Sequence, residues 1–200
     1  MKKYKNKYRI PSARLKGWDY RNEGAYFITI CTKNREHFFG ECKDSKMTLS
    51  TMGAIVQGFW FEIPKHADHV QLGEFVVMPN HVHGILILSE MKKTDDQVNV
   101  VNGECDPDGG DPDDPEPNTK HPNREFFQKI SPKSGSVSRI LQQYKRVCKI
   151  HNKTAFPEAN FNWQERFYDH IIRNDQSFNL ISNYIVNNPK NWKEDKFFDK

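Results

Sequence analysis

The sequence predicts an α+β protein of ferredoxin-like βαββαβ order: an antiparallel sheet with helices on one face and one further helix added at the C-terminal end. Two observations predict it. Short runs rich in β-branched and aromatic residues alternate with longer stretches whose apolar positions recur at helical spacing. Two of the short runs, residues 74–78 and 81–88, are separated only by Pro79-Asn80, a turn signal that makes them consecutive antiparallel strands.

The elements follow in order. Residues 1–23 form a basic segment carrying Tyr4, Tyr8, Trp18 and Tyr20, with Pro11 and Gly17 as breakers. Residues 24–32 (GAYFITICT) read as a strand with apolar residues on both faces, which places it centrally in the sheet. After a short polar stretch, Thr51 caps a helix through Ile55, Val56, Phe59 and Trp60 that stops near Ile63, before Pro64. The two strands around Pro79-Asn80 come next. From about 89 to 131 Asp, Pro, Gly, Asn and Lys dominate, and this stretch reads as a disordered acidic insertion. Ser136 or Ser134 caps a second helix through Val137, Ile140, Leu141, Tyr144, Val147 and Cys148. Its other face is basic, with Arg139, Lys145, Arg146 and Lys149. Residues 167–172 are a further strand. Asn174 or Asp175 then caps the last helix, which holds Phe178, Ile181, Tyr184 and Ile185 and stops at Asn188-Pro189. Residues 191–200 read as a polar tail. The domain is therefore 24–190, interrupted by the insertion.

With 200 residues the chain has material for one domain with decorations. Its net charge of +4 conceals a basic body and an acidic run between Glu104 and Glu116. A basic body favours a polyanionic partner such as nucleic acid. Lys5, Lys7, Arg9, Arg14 and Lys16, interleaved with aromatics, and Lys145 and Arg146 on the basic helix are the candidate DNA contacts. The four cysteines are scattered without a Cys-x-x-Cys pair, which argues against a zinc ribbon and against a disulfide framework. With no signal-peptide core and no apolar run of ~20 residues, the protein is expected in the cytoplasm, away from membranes.

His81 and His83 stand two apart on a predicted strand and so project from one face. Such a pair is half of a divalent-metal site. By itself it reads as readily as polar side chains lining an open sheet face. Tyr184 and Asn188 are four apart and share a helix face; if that face meets the histidines, Asn188 completes a metal shell beside the Tyr184 phenol. Tyr184 also fits as a core residue continuing the Phe178, Ile181 stripe. A tyrosine oxygen placed at a metal-bound phosphate can attack phosphorus; Tyr144, next to Lys145 on the basic helix, is the rival to Tyr184 for that role, and His170 is a further site candidate or a satisfied strand histidine.

The segment Met78-Pro79-Asn80-His81-Val82-His83 resembles the HUH motif (histidine, bulky apolar residue, histidine) of single-strand DNA transposases and relaxases. The block 166–174 (RFYDHIIRN), with 184–189 (YIVNNP), is similar to that of REP-associated tyrosine transposases, of the single-tyrosine HUH class. The resemblance covers most of the chain outside the insertion. It implies a catalytic helix bearing Tyr184 as nucleophile, and His81, His83 and Asn188 facing a divalent metal, Mg²⁺ or Mn²⁺. The implied reaction is cleavage and rejoining of single-stranded DNA at hairpin-bearing sequences through a 5′-phosphotyrosine link. Single-stranded or hairpin DNA is the implied partner, and monomer and homodimer both stay open. The acidic insertion departs from compact members; lengthening a loop costs only about 0.6 kcal/mol per doubling, so the site need not be disturbed.

Overall fold

The structure is a computed structural model that describes residues 14–15, 17–91 and 131–198, together with the backbone of residues 3–4 and 7–8. Most of the acidic insertion, residues 92–130, lies outside the described residues.

A minimal hairpin, β1 (Lys3–Tyr4) and β2 (Lys7–Tyr8), precedes the domain. The main sheet is built from β3 (Gly24–Cys31), β6 (Val70–Met78), β7 (His81–Leu88) and β8 (Tyr168–Ile172). Its order is β6-β7-β3-β8, antiparallel throughout. With α1 (Thr51–His66) after β3 and α2 (Val137–Ala155) before β8, these strands realise the βαββαβ order expected from the sequence. The apolar strand β3 is central because both of its faces are buried, as its composition requires. Like β1–β2, a second hairpin went unforeseen: the polar stretch after β3 contains β4 (Gly40–Lys43) and β5 (Lys46–Leu49). Its turn residues Asp44 and Ser45 have φ of 49° and 63°, a left-handed turn without the usual Asn-Gly signal.

The helix signals need two adjustments. Ser50, not Thr51, caps α1, its Oγ accepting from the Gly53 amide at 3.1 Å. The helix also passes Pro64 and ends at His66, so that proline falls in the last turn instead of ending the helix before it. Of the open alternatives, Ser136 caps α2 and Asn174 caps α3 (Asp175–Asn187).

Strand alternation divides the side chains between two faces. Tyr26, Ile28 and Ile30 of β3 and Val82 and Leu86 of β7 point into the main core, against Val56 and Trp60 of α1 and Leu141 and Tyr144 of α2. Gly84 belongs to this face, where a Cβ would run into the Trp60 ring, itself stacked on Phe75 at 4.6 Å. Gly84→Ala is therefore expected to destabilise the fold by about 1–3 kcal/mol, read as a lowered thermal midpoint; an unchanged midpoint would show that Trp60 can move aside.

On the opposite face lies α3. Ile185 packs with Ile85 and Ile172, flanked by Phe27, Val76, Phe178 and Ile181. The histidines of β7 are on this face too, by the same parity that places Ile85 there. No helix among the described residues is long and apolar enough to cross a membrane.

Candidate metal and tyrosine site

Phe27, Thr29 and Cys31 of β3 stand on the α3 side of the sheet, in register with Ile85, His83 and His81 of β7. His81 and His83 are 0% and 1% exposed, and their Nε2 atoms approach to 3.1 Å. Each ring is oriented through its other nitrogen. Asn80 Oδ1 accepts from His81 Nδ1 at 2.9 Å, which makes Nε2 the lone-pair nitrogen of that ring. His83 Nδ1 stands 2.8 Å from Thr29 Oγ1. Burial holds His81 well below the ordinary histidine value, with the neighbouring His83 adding to the effect. Burial likewise takes His83 down to about 4. Both rings are thus neutral at pH 7, the form that binds metals.

This burial has a measurable consequence. In the unfolded chain both histidines take up protons near 6.5, while the folded protein resists doing so, His83 down to about 4. The unfolded state then binds more protons across that window, so stability falls as the pH is lowered from 6.5 toward 4. The expected slope is about 1.4 kcal/mol per pH unit for each histidine. Thermal midpoints with a chelator present, compared with a His81→Gln, His83→Gln double variant, should show the excess slope in the parent only. Identical slopes would count against the burial.

Tyr184 reaches the histidines from α3. Its hydroxyl is 3.2 Å from His83 Nε2 and donates toward Asp195 Oδ2 at 3.3 Å. Although it continues the Phe178, Ile181 stripe in sequence, Tyr184 remains 41% exposed while Ile185 takes the buried position. Burial, then the Asp195 carboxylate, pushes its phenol up to about 12.

Asn188 is 1% exposed, in helical backbone at the end of α3. Its Nδ2 donates to Asp195 Oδ2 at 3.0 Å, while its buried Oδ1 has no protein partner. Asp195 comes from the segment read as a polar tail. Trp192 buries there, a short 3-10 turn spans Trp192–Glu194, and the backbone then brings Asp195 over the histidines. The Phe197 amide donates to Asp195 Oδ1 at 2.8 Å, and Asn80 Nδ2 donates to the Phe197 carbonyl at 2.8 Å. Cys42 of the unforeseen hairpin donates to the Pro189 carbonyl at 3.1 Å, just beyond α3.

His81, His83 and Asp195 each offer a ligand atom, all within 4.8 Å of one another. Two imidazole lone pairs and a carboxylate oxygen form a donor set that can hold a divalent cation. The orphaned Asn188 Oδ1 beside them fits the same use, since a buried carbonyl oxygen without a partner is costly. Sequence reasoning brought forward His81, His83, Tyr184 and Asn188, and the fold brings those four together. It missed Asp195, Asn80 and Thr29. Of these, only Asp195 had a usable signal: Trp192, Phe197 and Phe198 give the tail aromatic anchors.

The other candidates lie elsewhere. Tyr144 is 2% exposed in the main core and donates to the Val56 carbonyl at 3.0 Å, away from the histidines. Arg14 donates to the buried Asp169 carboxylate at 3.2 Å and to Ser138 at 2.7 Å, with its guanidinium against the Tyr20 and Phe167 rings. That arrangement ties Arg14 to β8 and α2. Lys145 donates to the Gln164 and Glu165 carbonyls at 2.6 and 3.0 Å, and burial lowers its amine to about 8. Arg146 lies with it, beside Lys33 and Lys149, along an open groove. His170 is exposed on β8, opposite Phe27. Lys5, Arg9 and Lys16 lie outside the described residues, and for Lys7 only the backbone is described. Among the described cysteines, Cys31, Cys42 and Cys148 are free thiols.

No protein-family model matches the chain. A solved REP-associated tyrosine transposase bound to a REP hairpin has a similar fold: TM-score 0.54 with 18% identity, covering 94% of this chain and 77% of that one. A Haemophilus influenzae protein, described only as uncharacterised, is 36% identical over 187 residues, 94% of this chain and 92% of its own length. The protein thus belongs to one family with that Haemophilus influenzae protein, and its fold is similar to that of a tyrosine transposase.

Proposed function

We propose that the protein is a metal-dependent single-stranded DNA transposase and endonuclease of the single-tyrosine HUH class. It would cleave and rejoin DNA at hairpin-bearing sequences, with Tyr184 as nucleophile. The observation that carries this reading is the Tyr184 hydroxyl 3.2 Å from His83 Nε2, beside a His81, His83, Asp195 donor set. The REP hairpin bound to the transposase of similar fold supports the choice of DNA form.

In the reaction, Tyr184 Oη forms a bond to phosphorus and the bond from phosphorus to the 3′-oxygen of the preceding nucleotide breaks. The phenolic proton passes to the Asp195 carboxylate 3.3 Å away, and the departing 3′-oxygen takes a proton to become a hydroxyl. What remains is a 5′-phosphotyrosine that a second 3′-hydroxyl can attack in reverse, so rejoining needs no nucleotide cofactor. His81, His83 and Asp195 would hold a divalent metal, which when bound would supply positive charge to offset the negative charge developing on the phosphoryl oxygens. Thr29 and Asn80 hold the two imidazoles with their ε-nitrogens convergent, and Asn188 ties Asp195 to the end of α3. A phenol raised to about 12 stays protonated at neutral pH, so the proton acceptor and the added charge are both needed.

The test is incubation of the protein and Mn²⁺ with labelled DNA carrying a hairpin and single-stranded flanks, followed by a denaturing gel. A covalent band lost in Tyr184→Phe and kept in Tyr144→Phe supports the reading. Tight hairpin binding without a covalent band under Mg²⁺ or Mn²⁺ overturns it in favour of a catalytically silent hairpin-binding protein.

A further inference from the structure

The cleft in front of Tyr184 encloses about 590 Å³, and Phe27, His83, Tyr168 and Lys196 share its lining. Tyr168 has no part in the chemistry derived above. It stands on β8 in register with Thr29, so its ring leaves the sheet on the side of His83 and Tyr184. It is 46% exposed, and it meets Phe27 edge-to-face, with centroids 6.3 Å apart and planes at 71°. A single exposed aromatic is ordinary on a protein surface. This one borders a cleft that ends at a nucleophile, and a cation, Lys196 Nζ, lies 5.9 Å from its ring centre. Phe27 in turn touches both Tyr184, at 6.1 Å, and His83, at 5.3 Å, so the aromatic surface runs from Tyr168 to the reacting hydroxyl.

The other charges in the cleft decide what could use that surface. Glu194 and Asp195 line it as well as Lys196. Carboxylates repel a backbone phosphate unless a cation offsets them, whereas the face of a nucleobase carries no net charge and stacks on a tyrosine ring. A volume of about 590 Å³ has room for an unpaired nucleotide.

We infer that Tyr168 is a binding residue that stacks one unpaired nucleobase beside the phosphate presented to Tyr184. This rests on the DNA-cleavage reading proposed above and adds to it a specific contact. Stacking on an aromatic side chain contributes about 1–3 kcal/mol per base, so losing it should weaken binding by about 5- to 150-fold. Because every base has such a face, the contact would select for an unpaired base over a paired one more than for one base over another.

The experiment uses the full chain with Mn²⁺ and hairpin oligonucleotides whose single-stranded flanks carry one 2-aminopurine, or one abasic site, at each position in turn. At a single flank position the parent should quench 2-aminopurine fluorescence. Tyr168→Ala should abolish that quenching and weaken binding by about fivefold or more, while Tyr168→Phe keeps both. On DNA abasic at that position, Tyr168→Ala should bind as the parent does. A merely structural role would weaken intact and abasic DNA equally, and that result overturns the inference, as does unchanged binding of intact DNA by Tyr168→Ala. The covalent band is scored on the same oligonucleotides. A Tyr184-dependent band without position-specific coupling to Tyr168 defeats the stacking alone. Coupling without any band defeats the DNA-cleavage reading and leaves the stacking of an unpaired base standing.

Discussion

Tyr184→Phe is expected to abolish the covalent protein–DNA product while leaving hairpin affinity and thermal stability near the parent values. The substitution removes one oxygen and keeps the ring that packs edge-on against Phe27. The hydroxyl is partly exposed and, among the described residues, its hydrogen bonds are to His83 and Asp195 within the site, so little folding energy rests on it. Tyr144, the rival candidate, cannot take over its proposed chemical role, being sealed in the main core with its hydroxyl donating to the Val56 carbonyl. Loss of a covalent nucleophile costs about 10⁴-fold or more in rate. Single-turnover cleavage of a labelled hairpin substrate under Mn²⁺ measures this. Residual covalent product in Tyr184→Phe that disappears in another tyrosine variant would move the nucleophile.

His83→Ala should remove both divalent-metal binding and cleavage. Its ε-nitrogen is the donor that faces His81, Tyr184 and the tail together, and its burial means that no water-exposed neighbour can replace it. Outer-shell changes at metal sites already cost about 10- to 100-fold in affinity, so loss of a ligand should exceed that. Titration of Mn²⁺ followed by its paramagnetic resonance gives the affinity directly. Tyr184→Phe is the matching control and should keep its Mn²⁺, because the phenol is not in the donor set. Thr29→Val should fall between the two, since it removes only the hydroxyl beside His83 Nδ1. Parent-like Mn²⁺ affinity in His83→Ala would place the metal elsewhere, or show that none binds here.

Why some of this was readable before the fold is a matter of spacing. His81 and His83 face one way because strand residues two apart must. Tyr184 and Asn188 share a helix face because residues four apart must. The caps at Ser136 and Asn174 could be narrowed to two residues each, since only a short polar side chain serves there. The β4–β5 hairpin was unreadable for the converse reason. Its turn puts Asp44 and Ser45 in left-handed backbone, and neither residue type demands that conformation.

The sequence by itself determined the alternation of elements, the central strand and the pairings His81 with His83 and Tyr184 with Asn188, all of them local periodicities. Only the tertiary structure decided that α3 lies on the face opposite α1 and α2. That choice follows from which apolar stripes are left uncovered: Ile85 and Ile172 need Ile185, because Trp60 and Tyr144 already fill the other side. The same docking brought the tail back over the histidines and put Asp195 against Asn188 and Tyr184. A tail of mostly polar residues states no partner in its own pattern. Its place was set by Trp192 finding a buried seat and by Asn80 capturing the Phe197 carbonyl, contacts between residues more than a hundred positions apart.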